Sequence, residues 1–299
     1  MERRIPQLIA YIIAVSCFLF GVGSYDILHF PQDTRSLSLH NTASAYDRSL
    51  LRNNPASLSL TTKKIAYSYL ILPAGIRSGE IQRVQKKGSG ICAGKLSYIS
   101  YGDIVDGETQ EKNTAIDILL GMGYKKELGN IASIGISGGY LVSSIAGYHS
   151  QLLYASIGIR SRLIRKRMGI GLSFENIGLL ITSYTGVKES IPSIFRSALY
   201  YKPKYLPAII SVDIIRSLYS DATELSGGLE FNPGKRLIIR LGCSNRRIGF
   251  LTGDFLSDLL ASMSGGLGFQ FTKINLDVGF MNLGAAGYIV GFSISRKED

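Results

Sequence analysis

From Met263 onward the chain alternates apolar with small or polar residues. Met263, Gly265, Leu267, Phe269 and Phe271 are offset by one from Ser264, Gly266, Gly268, Gln270 and Thr272. The pattern restarts as Ile274, Leu276, Val278 and Phe280, and again as Tyr288, Val290, Phe292 and Ile294. Side chains of a strand point alternately to opposite faces, so each run is a strand with one greasy face and one small or polar face. In a soluble sandwich the greasy face meets a second sheet; in a membrane barrel it meets lipid, and the polar face lines the lumen.

Similar runs continue upstream at 65–72, 76–84, 91–101, 114–124, 132–142, 151–159, 168–174, 194–201, 208–214, 224–231 and 237–243. Together they predict about 14 strands, the even number expected of a closed bacterial barrel. The links favour the barrel too. Every second one is short and basic, as at Gln85-Lys86-Lys87-Gly88, Lys125-Lys126-Glu127, 160–167, 202–204, 232–236 and Thr272-Lys273. The intervening links are mostly longer (102–113, 175–192 and 244–262), although 72–76 is short. Short turns at one end and long loops at the other are expected of an outer-membrane barrel with its turns in the periplasm. The predicted fold class is therefore all-β: a transmembrane antiparallel β-barrel preceded by a short plug.

The first 62 residues read differently. Arg3 and Arg4 followed by an apolar stretch over 9–20 and Val22-Gly23-Ser24 form a secretory signal, placed at 1–24. Ala14-Val15-Ser16-Cys17 is a poor lipoprotein box. Residues 25–62 carry the breaker Asn54-Pro55 and no sustained alternation, and are assigned to a plug tucked into the lumen; the barrel proper is 63–299. After residue 24 no apolar run reaches the roughly 20 residues of a membrane helix.

The 299 residues contain 34 Gly, 17 Tyr and no Trp, with a net charge of +11 and the excess cations mostly in the short turns. Cys92 and Cys243 each lie in a strand-like run, and spacing leaves their pairing open.

Candidate chemistry is sparse. His149-Ser150 invites a hydrolase reading, but adjacent strand residues face opposite ways and no third group is placed to orient the histidine. Asp103, Asp106, Glu108 and Glu111 form an acidic loop that a calcium ion would suit, with a solvated loop the simpler reading. The glycines of 135–139 and 265–268 lack the lysine and helix of a phosphate loop and instead provide room in the lumen. The basic run 160–167 lies in a predicted periplasmic turn of an exported protein, where anionic headgroups or a periplasmic partner suit it better than nucleic acid. Arg240, on the lumen face with Ile238 and Gly242, and Arg35, under the plug, must be paired or wet. No catalytic, metal or cofactor constellation is present, so the chain is read as a non-enzyme without a cofactor and with no nucleic-acid partner.

Several segments in order resemble the PorV/PorQ family, relatives of the FadL-type fatty-acid barrels. They are Thr34-Arg35 through Ala43 and Ala45 to Asn54-Pro55-Ala56-Ser57-Leu58; Tyr101-Gly102-Asp103-Ile104 with Gly107-Glu108-Thr109; Asn176-Ile177-Gly178 with Ile191-Pro192; and Gly228-Leu229-Glu230-Phe231 with Arg240-Leu241-Gly242. The family's glycine after Leu39 is replaced by His40-Asn41, and the nearest aromatic to the charged C-terminus is Phe292. The resemblance implies an outer-membrane barrel of a Gram-negative-type cell, accessory to type IX secretion or surface attachment. The alternative is a FadL-like channel for long-chain fatty acids or other hydrophobic solutes, with a kinked wall near Pro73 or Gly75. Implied partners are outer-membrane lipid, secretion or attachment proteins with their cargo, and hydrophobic small molecules. The family-motif positions are Arg35, Asn54, Pro55, Ala56, Tyr101, Gly102, Asn176, Gly178, Pro192 and Arg240.

Overall fold

The computed structural model describes residues 25–47, 50–60, 63–105, 112–163, 167–184, 186, 189–220, 222–234, 236–245 and 261–298. Fourteen strands form one closed antiparallel barrel in which each strand pairs with its sequence neighbours and β1 pairs with β14. The strands are β1 (Lys63–Ile71), β2 (Arg77–Lys87), β3 (Gly90–Val105), β4 (Lys112–Leu128), β5 (Ala132–Ile145), β6 (Tyr148–Leu163) and β7 (Met168–Thr182). They continue as β8 (Ile194–Tyr201), β9 (Ala208–Ser217), β10 (Thr223–Phe231), β11 (Leu237–Ser244), β12 (Met263–Gln270), β13 (Ile274–Asn282) and β14 (Tyr288–Glu298). Closure of the sheet removes the exposed edges that an open sheet would present.

The outward face is apolar along almost every strand. Leu120, Met122, Ile136, Leu179, Leu241 and Phe280 are all exposed, Met122 and Leu179 by 67%. Leaving one such side chain in water forgoes roughly 1.5–3 kcal/mol, so a continuous belt of them calls for lipid as the outer solvent. The belt makes this a transmembrane barrel.

All fourteen predicted strands are present, but several run further than their hydrophobic pattern. β4 extends through Lys125-Lys126-Glu127, and β6 through Arg160-Ser161-Arg162, which the sequence had suggested were turns. The cause lies inside: Lys125 and Arg160 are buried and point inward to carboxylates, so they continue the ladder on its lumen side. β7 likewise extends to Thr182 and shortens the expected loop after Phe174. The link between β5 and β6 is only Ala146-Gly147, both with positive φ (49° and 83°), as a two-residue hairpin turn requires. Long links at the loop end are therefore confined to a few hairpins, and β3–β7 form a tall wall beside the shorter β8–β14.

Pro73 and Gly75 sit in a 3-10 turn joining β1 to β2, whose ladder is unbroken from Lys64↔Val84 to Ile71↔Arg77. They do not kink the wall. The register shifts fall elsewhere: between Ser100 and Asp103 on β3, where Gly102 has φ +78°, and on β6 between Gln151 and Leu152 and between Ala155 and Ile157, the last opposite Asn176 with φ +59°. Cys92 and Cys243 are both unpaired thiols, set on β3 and β11 on different parts of the circumference.

Candidate functional site

The residues before β1 fill the barrel. Tyr25 begins the described chain near the loop end, where its hydroxyl hydrogen-bonds Ser150 Oγ at 2.6 Å and donates to Glu189. From there the chain descends through a 3-10 turn (Asp26–Leu28) to a short helix, α1 (Thr34–Ser38). It continues past Tyr46 at the turn end, returns through a second 3-10 turn (Pro55–Ser57), and leaves to start β1 at Lys63.

The helix starts where it does because Asp33 caps it, accepting from Ser36 N at 3.0 Å and from Ser36 Oγ at 2.7 Å. It packs on β11–β14 and β1, where glycines allow close approach. A Cβ on Gly266 or Gly279 would collide with Ser38 Oγ, and one on Gly291 would press on Leu37 and Leu70. Thr34 bonds across to Ser293 on β14 through both its backbone N–H and its hydroxyl. After Leu39 the chain turns with His40, Asn41 and Ala43 all at positive φ, so the missing glycine does not prevent the left-handed backbone. Asn41 Nδ2 donates to His29 O at 3.1 Å and helps to hold the turn.

Asn54, Pro55 and Ala56 form a second dock, on the tall wall. Asn54 Oδ1 caps the turn by accepting from Ala56 N at 2.9 Å, and its Nδ2 donates to Ile159 O and Leu172 O. Ser133 Oγ donates to Ala56 O at 2.9 Å. Gly135 and Gly158 face these three residues, and a Cβ on either would overlap them. Gly135 of β5 gives room to the plug backbone at Pro55 and Ala56, and Gly266 of β12 to the Ser38 side chain, whereas Gly138, Gly139, Gly265 and Gly268 lie against neighbouring strands.

Ion-pair groups tie the plug to the wall or brace the wall around it. Arg52 bridges Asp33 on the plug (2.5 Å) and Glu80 on β2, and all three are buried. Arg35 donates through Nε to Glu230 at 2.9 Å; Glu230 also accepts from Arg240 at 2.8 Å, and Arg240 reaches Asp277 at 2.6 Å. Arg196 pairs with Glu175 and Asp213, while Asp213 accepts from the backbone N–H groups of Ala43 and Ser44. At the turn end Asp47 accepts from Arg160 and Arg162, and Arg162 also reaches Glu127. Burial pushes the Asp33 carboxyl up, but the Arg52 charge and hydrogen bonds outweigh it and hold the group well below the usual carboxylate range. Asp47 is lowered in the same way by Arg160.

Toward the loop end the lumen changes character. Inward-facing Leu70, Ile99, Leu119, Leu141, Leu152, Met281 and Ile289 form an apolar chamber, and Tyr25, Ile27, Phe30 and Leu37 of the plug fill it. Tyr101 stands at its edge, its hydroxyl donating to Asp117 at 2.9 Å. Tyr184 stacks near Tyr25 with ring centroids 6.4 Å apart, and burial pushes its phenol up to about 12. Asn176 sits at the β7 bulge: its N–H donates to Ser156 Oγ, and its Nδ2 faces Leu28 O and Pro192 O at 3.4 Å. At Gly178 a Cβ would press on Leu152, Leu153 and Ile191.

The structure thus places Arg35 and Arg240 together on Glu230, gathers Asn54, Pro55 and Ala56 on β4–β7, and brings Asn176, Pro192 and Gly178 together at the bulge. Tyr101 and Gly102 stand apart, on β3. Sequence reasoning missed Arg52, Asp33, Glu80, Glu175, Arg196, Asp213 and Glu230. A usable signal existed for the strand members: a charged residue in the middle of a membrane strand must take the lumen parity.

His149 and Ser150 occupy opposite faces of β6, and Ser150 Oγ also lies 2.7 Å from Thr182 O, to which it donates. That serine tethers the plug. Of the basic run 160–167, Arg160 and Arg162 point at Asp47, and 164–166 lie outside the described residues. Of the acidic loop, 106–111 lie outside them too; among the described residues no group of acidic, His or Cys side chains is arranged to hold a metal ion.

No family model matches the sequence, and no curated protein matches it. Solved structures do match its fold. The monoaromatic hydrocarbon channel TodX, as its deltaS2 mutant, aligns over 92% of this chain and all of its own, with TM-score 0.64 and 11% identity. The Ralstonia pickettii toluene transporter TbuX aligns over 89% of this chain and 98% of its own, with TM-score 0.61 and 9% identity. A Pseudomonas aeruginosa FadL homologue aligns over 90% and 99%, with TM-score 0.54 and 9% identity. At such identities the likeness is one of fold: this chain shares the barrel fold of those proteins.

Proposed function

We propose that the protein is a gated outer-membrane channel for hydrophobic solutes. The observation that carries this reading is the apolar chamber at the loop end. The lumen of a membrane barrel is ordinarily polar, yet here seven aliphatic wall residues face inward around Tyr25, Ile27 and Phe30. Withdrawal of that short segment would leave an apolar space, which suits a fatty acyl chain or an aromatic hydrocarbon and holds water poorly. The fold it shares with TodX, TbuX and the FadL homologue supports the same class of solute. Proteoliposomes carrying the barrel should take up toluene or oleate faster than empty ones, and Phe30→Ala should alter that rate. Flux equal to empty liposomes for both solutes would overturn the reading.

A second reading, the secretion or surface-attachment accessory implied by the PorV/PorQ resemblance, is favoured by how firmly the plug is held. Between plug and wall, beside Asp33, Arg35, Arg52 and Lys64, there is only about 40 Å³, enough for a water or two. A barrel that stays shut serves as a platform. A pull-down from native membranes separates the two: recovery of secretion components or their cargo supports the platform, and a barrel carrying only hydrophobic small molecules supports the channel.

Removal of residues 1–24 belongs to either proposal. Tyr25 is buried at the loop end, and N-terminal sequencing of the mature protein should begin there.

A further inference from the structure

One side chain of the plug sits in the apolar chamber as a bound molecule would. Tyr25 carries a phenol ring on a single methylene and is buried, only 5% exposed. Its ring stacks on Tyr184 with centroids 6.4 Å apart and planes 15° from parallel, within the range of favourable aromatic pairs. Its hydroxyl donates to Glu189 and lies 2.6 Å from Ser150 Oγ.

The ladder shows what surrounds that hydroxyl. Leu119, Leu141 and Leu152 stand opposite one another on β4, β5 and β6 and form an apolar row of the lumen wall. Two residues toward the loop end, roughly 7 Å along the strands, the row becomes Asp117, Ser143 and Ser150. The chamber is thus bounded at the loop end by a polar collar, and Tyr25 spans the apolar and polar parts.

The protons of the collar are already placed. Tyr101 and Ser143 donate to Asp117, Tyr184 donates to Ser143, and Ser150 donates to Thr182 O. Each hydroxyl has one proton to give. Among the described residues, Glu189 therefore receives its hydrogen bond from Tyr25 alone. The lumen cation of β3, Lys95, lies against Gly121, two rows toward the turn end. With Tyr25 withdrawn, what remains is an apolar space facing a carboxylate and a hydroxyl oxygen that accept, with no donor left over.

We infer that the chamber is a site for small phenols, the ring of the solute replacing that of Tyr25 and its O–H donated to Glu189 and Ser150. This names a substrate class within the hydrophobic-solute reading and rests on it. An aromatic hydrocarbon of the same shape fills the apolar part but leaves Glu189 without a donor, and sites that bond a substrate hydroxyl discriminate strongly against the analogue lacking it. An aromatic carboxylate sets a second anion against Glu189 and is repelled. The solute competes with a side chain tethered to the same chain, so it acts at concentrations on the order of millimolar.

The test places the full barrel with its plug in nanodiscs and follows hydrogen exchange of residues 25–30, which rises as Tyr25 is displaced. The probes are p-cresol, toluene and p-toluate, which share a methylated ring and differ in the group para to the methyl. In the linear part of the response p-cresol should raise exchange about tenfold more than toluene at equal concentration, and p-toluate should have no effect. S150A/E189L should bring p-cresol down to the level of toluene, because both acceptors are gone. The variants also loosen Tyr25, which raises the response to every probe alike, so the ratio between probes is the readout. If the double variant does not form the barrel, Glu189→Leu alone, in the link between β7 and β8, should lower the preference several-fold. Glu189→Gln, which keeps an acceptor oxygen, should retain part of it. Equal responses to p-cresol and toluene, or none to either, would overturn the phenol site, and so would a preference that survives loss of Glu189 unchanged. The channel reading stands or falls separately, on whether flux into proteoliposomes exceeds that into empty ones.

Discussion

The two halves of the lumen hold the same plug by opposite means. Near the loop end, Tyr25, Ile27 and Phe30 rest against aliphatic side chains, with directional bonds only at the edges, such as Tyr25 to Ser150. Through the middle and turn end, the plug is held by Arg52 to Glu80, Arg35 to Glu230, Asp47 to Arg160, and Asn54 to two strand carbonyls. Apolar contact is non-directional and tolerates sliding. Buried ion pairs do not, because separating one partner strands a desolvated charge. The charged half is therefore the anchor, and the apolar half is the part that can move while the rest stays docked.

The strongest way to break this contrast is to remove Arg52. Arg52→Ala leaves Asp33 and Glu80 buried without their cation and should cost about 3–5 kcal/mol of docking. Residues 33–58 should become open to protease while the barrel band persists on unheated gels. Phe30→Ala addresses the other half and should cost about 3 kcal/mol through the cavity it leaves. It should loosen only the loop-end segment and increase binding of an apolar fluorescent probe, with the anchor still protected. Asn54→Ala removes the cap and the bonds to Ile159 and Leu172, at about 1–2 kcal/mol, and should expose Pro55–Ser57 by hydrogen exchange without affecting Tyr25.

Acid sharpens the comparison further. The Asp33 carboxyl is depressed in the folded state, so its contribution is complete above its unfolded value of about 4 and is lost as pH falls through the lower native value. Pepsin cleavage within the plug should therefore rise below pH 4. Asp33→Asn should flatten that dependence, and the apolar half should contribute nothing to it.

Much of the fold was legible because period-two alternation is a local property that survives without tertiary information. Ile194–Tyr201 came out with its observed bounds for that reason. β4 and β6 were cut short because Lys125 and Arg160 read as turn charges until their carboxylate partners are in place. Asp47, the partner of Arg160, is 113 residues away in sequence, and a one-dimensional pattern does not connect them; Lys125 pairs with Glu127 on its own strand, and their shared inward face is hidden by the exposed Lys126 between them. The plug's presence was legible from the absence of alternation and from Asn54-Pro55. Its path was not, since it depends on which glycines lie opposite it: Gly135 under Ala56, Gly266 and Gly279 under Ser38. The kink was sought at Pro73 because proline disrupts ladders, but a link between strands has no ladder to disrupt. The bulge instead falls at Asn176, a residue that tolerates left-handed backbone.

The position of α1 bears on how the barrel assembles. Leu37 lies against both Leu70 of β1 and Gly291 of β14, and Thr34 bonds Ser293. These are the strands that sequence separates most and that must meet last to complete the cylinder. Joining them carries the largest loop-closure entropy of any adjacent pair in the sheet. A helix in contact with both sides of that seam acts as a suture, adding cross-links between the two ends beyond those of their own ladder. The stopper of the barrel is then also a clasp on its seam.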